Sequence, residues 1–280
     1  MSATHLITGI PRSGTSLACR LLDQAEDSLA LSEPLKPSEL EELAGPEDAI
    51  SFIGRRLAQV RDGILDKRIA PSTHVRGSLS DARVSLEVSS DGLRAPQGEQ
   101  GDVAVSKRLP RDFTLFVKHN ALFTALLGKL THSFRCIALV RNPVAVLASW
   151  HTVDLPVNRG RLPIGEQFDP ALRAYLRAEP DCLQRQLSIL DWFFNIYRST
   201  PGLSHTLRYE DIIASAGDDL FRACGVIGHC QERLQARNDN ALYASVDRGI
   251  LLDALVSKGG SWLAFYSEDD MQAAAEALVQ

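Results

Sequence analysis

The sequence predicts an α/β protein, a three-layer sandwich around a central parallel sheet. Three observations carry this. The chain opens with HLITG running into Gly9, Pro11 and Gly14, after which Leu17, Leu21 and Leu22 take helical spacing, so strand, tight loop and helix follow one another. CIALV at 136–140 is a continuous apolar run between helical patterns, as expected for a parallel strand covered on both faces. With 280 residues, 45% of them hydrophobic and 23% charged, the chain has enough apolar material for a full core.

In chain order, SLALS at 28–32 reads as a second strand, stopped by Glu33 and Pro34. Residues 46–65 read as an amphipathic helix with Ile50, Ile53, Leu57, Val60 and Ile64 on one face. Residues 71–104, rich in Ser, Gly, Arg and Asp, read as a long loop or irregular insertion. FTLFVK at 113–118 predicts a strand, 119–130 a helix, and 136–140 the next strand. A second loop is expected over 151–170, a long helix over about 171–199, a strand over 204–209, and mainly helix beyond. No repeat, low-complexity tract or linker divides the chain, so residues 1–280 are expected to form a single domain.

The formal charge of -5 argues against nucleic acid or an anionic membrane as the main partner, which would call for net positive charge. No apolar run reaches the roughly 20 residues of a membrane span, and the first residues lack a basic region followed by an apolar signal core. The five cysteines form an odd set without paired CxxC spacing, which points to reduced thiols and a cytoplasmic location. Cys224, His229 and Cys230 lack a second ligand pair and read better as packing than as a zinc site. No metal site is expected: His5, His74, His132, His151, His205 and His229 sit in no ligand or triad spacing.

Two stretches carry chemistry. GIPRSGTS at 9–16 has the glycine spacing of a P-loop, with Thr15 where nucleotide hydrolases need lysine. Backbone amides at the start of the helix, the hydroxyls of Ser13, Thr15 and Ser16, and the Arg12 cation still suit a phosphate, so a P-loop-like phosphate-binding loop is expected. In CIALVRNPVAVLASW, Arg141 ends a strand, Asn142 and Pro143 start a helix, and Ser149 lies further along it. A magnesium-dependent nucleotide enzyme would want aspartate at the Arg141 position; arginine suits a second phosphate instead.

These residues resemble the sulfotransferases that use 3'-phosphoadenosine 5'-phosphosulfate (PAPS). Pro11, Arg12, Ser13, Gly14 and Thr15 match that family's PRSGT loop, which holds the donor's 5'-phosphosulfate. Arg141 and Ser149 match its R-[ND]-P-x5-S pattern, which holds the 3'-phosphate. LRYEDI at 207–212, with Tyr209, looks like its YEDL segment, and SKGGSW at 257–262 like the segment that closes over the nucleotide, implicating Lys258, Gly259 and Gly260. The resemblance touches 5–34, 113–150 and 204–280. It leaves 71–104 and 151–170 unmatched, and these are the expected acceptor loops.

The resemblance implies transfer of a sulfuryl group from PAPS to a hydroxyl or amine, releasing 3'-phosphoadenosine 5'-phosphate (PAP) without a metal. Arg12 and Lys118 would steady the leaving phosphate. For the general base, Glu33 matches a catalytic glutamate of some branches and is preferred; His119 competes from the position where the cytosolic branch carries its histidine, without that branch's K-T-H-L-P string. The acceptor, a small molecule, glycan or peptide, and the oligomeric state are left open. Two rival readings stand beside this one: a P-loop kinase-like enzyme, opposed by Thr15 and Arg141, and a noncatalytic PAPS or PAP binder.

Overall fold

The computed structural model describes residues 3–43, 45–75, 84, 87–90, 92–236, 243 and 246–277. The first half of the chain runs β1 (Thr4–Gly9), α1 (Thr15–Gln24), β2 (Ser28–Ser32), α2 (Pro37–Glu41), α3 (Pro46–Lys67), β3 (Ile69–His74), β4 (Glu99–Ala104) and β5 (Thr114–Lys118). Then come α4 (Asn120–Ala125), α5 (Leu127–Leu130), β6 (Arg135–Val140), α6 (Pro143–Trp150), α7 (Pro163–Phe168), α8 (Pro170–Ala178) and α9 (Cys182–Ser199). The last part holds β7 (His205–Arg208), α10 (Tyr209–Ala214), α11 (Asp218–Cys224), α12 (Arg248–Lys258) and α13 (Glu268–Ala277).

Five strands form one parallel sheet in the order β2-β5-β1-β6-β7, with helices on both faces, as the α/β three-layer sandwich requires. Side chains alternate across it with the two-residue period of a strand. Ile7, Ala30, Phe116, Ile137 and Leu139 pack with α1, α10 and α11 on one face. Leu6, Leu29, Leu31, Leu115, Val117, Cys136, Ala138 and Val140 pack on the other, with α3, α4, α6, α9, α12 and α13. The middle strands are buried on both sides, which is why CIALV is apolar without interruption.

The structure differs from the sequence reading at four places. The insertion expected over 71–104 contains an antiparallel ribbon, β3 paired with β4 from Ile69↔Ala104 to His74↔Glu99. Its strands are half exposed and polar, so no hydrophobic alternation marks them. A Cβ on Gly101 would lie 2.9 Å from the His74 ring, so any larger residue there would displace that side chain. Residues 76–83, 85, 86 and 91 of that insertion lie outside the described residues.

The loop expected over 151–170 holds a 3₁₀ turn (Pro156–Arg159) and α7. The helix expected over 171–199 is two helices, because Pro180 has no N–H and holds Glu179 extended. Asp181 then caps α9 by accepting from the Gln184 N–H. The helix expected over 119–130 starts after His119 and breaks at Leu126.

Candidate functional site

All five parallel strands point their C-terminal ends the same way, so the residues that follow them share one edge of the sheet. Register puts Ser32, Lys118 and Ile7 in one row, Gly9 opposite Leu139, and Val140 opposite Arg208. Glu33, Lys118 with His119, the loop 10–14, Arg141 and Tyr209 therefore follow one another across β2, β5, β1, β6 and β7. The connection leaving β1 turns one way and that leaving β6 the other, a strand-order reversal at which open α/β sheets form ligand crevices.

The loop after β1 is held by backbone and side-chain bonds. The Ser13 N–H donates to Ile10 O, the Ser13 hydroxyl donates to Leu139 O at 2.9 Å, and Trp150 Nε1 donates to Pro11 O at 2.8 Å. Ser13 is fully buried, so its hydroxyl serves to tie the loop to β6. Gly9 is enforced by contact, since a Cβ would lie 2.5 Å from Thr15 and 2.8 Å from Leu139 O. Gly14 is left-handed at φ 89, and a Cβ on it would meet the Tyr209 ring at 2.5 Å. It precedes Thr15 and Ser16 at the start of α1, where the first backbone N–H groups have no intrahelical acceptor.

Arg12 has φ 75, a left-handed conformation that costs a non-glycine residue about 1–2 kcal/mol. That conformation accompanies a tight cluster with β6 and α6. Arg12 Nε donates to Ser149 Oγ at 3.1 Å, and an Arg141 guanidinium nitrogen donates to Arg12 O at 3.0 Å. Arg141 also stacks over the Tyr209 ring, 4.8 Å from its centroid. Arg141 and Ser149 are almost wholly buried. Asn142 sets their helix by accepting from the Val144 N–H and donating to Asp270 O.

The sequence reading missed two residues at this cluster, Arg94 and Tyr243. The Tyr243 hydroxyl is hydrogen-bonded to Ser149 and lies in the field of Arg141, Arg12 and Arg94. Burial pushes its phenol up, but Arg141, the Ser149 bond, Arg12 and Arg94 together outweigh it, and the net shift is downward. Arg94 is buried and donates to Thr152 Oγ1 at 2.7 Å, while backbone bonds join it to Thr152 and Asp154. The insertion 71–104 thus meets the segment that opens 151–170. No local motif marks either residue; only a lone arginine before Ala95-Pro96 and a lone tyrosine stand in the sequence.

At the other end of the edge, Lys118 is buried and its Nζ donates to Glu33 Oε1 at 2.6 Å. Glu33 has φ 52, so a second side chain of interest also stands on left-handed backbone. It is held there by its N–H donating to Lys118 O at 2.7 Å and by Gln100 Nε2 donating to its carbonyl at 2.9 Å. Backbone strain of this kind gathers at functional sites. Next to the pair, His119 has its pKa lowered to about 4, chiefly by burial, with Glu33 raising it and Lys118 lowering it. Its buried Nε2 makes no hydrogen bond.

Strands lie about 4.8 Å apart, so Glu33, two strands from β1, stands roughly 10 Å across the edge from the Arg12 loop. A cavity of about 320 Å³ opens at Glu33, between β2 and the β3–β4 ribbon.

Lys258, Gly259 and Gly260 stand at the C-terminal end of α12. Lys258 Nζ donates to Gln184 and Ser188 on α9, Gly259 ends α12 with a positive φ of 60, and Gly260 packs on Trp262. Trp262 is fully buried in the core beside α9. Among the described residues, no three His, Cys, Asp or Glu side chains gather as a metal site, and no helix is long and apolar enough to cross a membrane. The edge therefore presents a cluster of arginines around Ser149 and, across the edge from it, a carboxylate–ammonium pair at a cavity. A scan against family models finds no match for the chain, and a search of curated proteins finds none either.

Proposed function

We propose that the protein is a sulfotransferase that moves a sulfuryl group from PAPS to a hydroxyl and releases PAP. The observation that carries this reading is the convergence of Arg12, Arg141 and Ser149, from two separate stretches of sequence, at the sheet's strand-order reversal. Two arginines and a hydroxyl there suit the donor's phosphates, and the amides that begin α1 add uncharged donors.

In the step itself, the acceptor oxygen bonds to sulfur while the bond from sulfur to the phosphate oxygen breaks. The acceptor proton passes to Glu33, and Arg12 and Lys118 face the charge growing on the leaving phosphate. Lys118, bonded to Glu33, holds that carboxylate in place before the acceptor arrives. His119, its imidazole buried and its pKa lowered to about 4, is not among the residues that line the cavity, whereas Glu33 is.

Calorimetry with PAP and AMP tests the donor site. PAP is expected to bind at least 30-fold more tightly than AMP, and Arg141→Ala to remove most of that difference, because a charged hydrogen bond contributes about 2 kcal/mol. Equal affinity for the two nucleotides overturns the reading.

A further inference from the structure

We infer that the cavity at Glu33 takes a neutral, polyhydroxylated acceptor of the sugar or glycoside class in preference to a flat phenol; this rests on the transfer reading above. At about 320 Å³ the cavity lies at the small end of the roughly 300–1,000 Å³ usual for ligand sites, enough for a compact polar molecule. Two acidic side chains, Glu33 and Asp102, and two basic ones, Lys36 and Arg56, line it. Their charges balance, so net charge selects neither an anion nor a cation.

Its apolar wall is made by Pro34 and Pro71, and among the described residues no aromatic ring lines it. A phenol would give up water without the ring stacking that usually compensates a planar ligand. A sugar, by contrast, offers hydroxyls that both donate and accept on several sides, which is what a wall of mixed charges can use.

Arg56 sharpens this. Its buried Nε makes no hydrogen bond, and its ion contact with Glu39 is long, at 3.5 Å. So loosely held a guanidinium at the cavity wall has its other N–H groups to give to a ligand oxygen. Gln100 does not compete for the ligand through its amide N–H, which is spent on the carbonyls of Glu33 and Leu35 and so braces the wall. A site built to bond hydroxyls also rejects analogues that lack them.

The test uses the full chain with PAPS and compares methyl gluco-, galacto- and mannopyranosides and methyl β-lactoside with p-nitrophenol and a tyrosine peptide, following sulfate transfer. At least one glycoside is expected to exceed p-nitrophenol tenfold or more in kcat/KM. Arg56→Met is expected to raise KM for that glycoside about tenfold while kcat and PAP affinity stay within twofold. Preference for p-nitrophenol or the peptide, or PAP binding without transfer to any glycoside, overturns the acceptor class and leaves the donor site standing. Failure to distinguish PAP from AMP removes the donor reading, and this inference with it.

Discussion

Glu33 and His119 flank the same buried ammonium, and their surroundings separate their chemistry. Glu33 is bonded to Lys118 and opens on the cavity; the His119 imidazole is buried with its pKa down at about 4. Glu33→Gln is expected to lower kcat by roughly 10²-fold, the scale of general-base catalysis, with PAP affinity near that of the parent protein. His119→Asn is expected to have the milder effect. Steady-state turnover on folded, PAP-binding variants decides it, and the reverse ranking would move the base to His119. Since Lys118 loses its charged partner in Glu33→Gln, turnover should be read well below the unfolding temperature of that variant.

Among the elements, α6 does most to assemble the arginine cluster, because it carries Ser149 next to Trp150, which reaches back to the Arg12 loop. Its start depends on Asn142, whose side chain accepts from Val144 and donates to Asp270 at α13. Pro143 fits the first turn, where no intrahelical N–H bond is lost. Asn142→Ala is expected to cost about 1 kcal/mol and lower Tm by about 2–4 °C, with Asn142→Ser recovering the cap. Thermal melts check this, and an unchanged Tm in Asn142→Ala would show that water replaces the bond. The β3–β4 ribbon plays the corresponding part at Glu33, where Gln100 bonds the Glu33 carbonyl and Ser72 bonds the Ser32 backbone.

For the molecule as a whole, both apolar clusters are built on alternate faces of the same four strands, β1, β2, β5 and β6, so neither can be lost without exposing the other's sheet. A single calorimetric transition is expected. Its pH dependence follows from His119. The folded state holds that ring's pKa near 4, against 6.5 for an exposed histidine, so between those values the unfolded chain binds more protons. Stability is therefore full above pH 6.5, falls as pH drops towards 4, and levels off below. From pH 7 to pH 5 the loss from His119 is roughly 2 kcal/mol, and His119→Asn should flatten that part of the slope. Scanning calorimetry at the two pH values tests it; an identical slope in the variant would assign the loss to other groups, with His5, also lowered to about 4 by burial, the first to examine.

The amino-acid sequence by itself determined the α/β class, most strand positions and the Arg12, Arg141 and Ser149 set, because each rests on short-range pattern: glycines at a strand-to-helix turn, an apolar run buried on both faces, a proline starting a helix. It also proposed Glu33 and Lys118, but nothing local says that they touch. Their bond depends on β2 and β5 pairing so that Ser32 meets Lys118, a register fixed only when the sheet forms. Arg94 and Tyr243 lay further out of reach, since the burial and electrostatic field that mark them come from groups far along the chain. The polar ribbon was hidden for a related reason: its two strands are held by backbone pairing with each other and not by an apolar face, so their sequence carries no period to read.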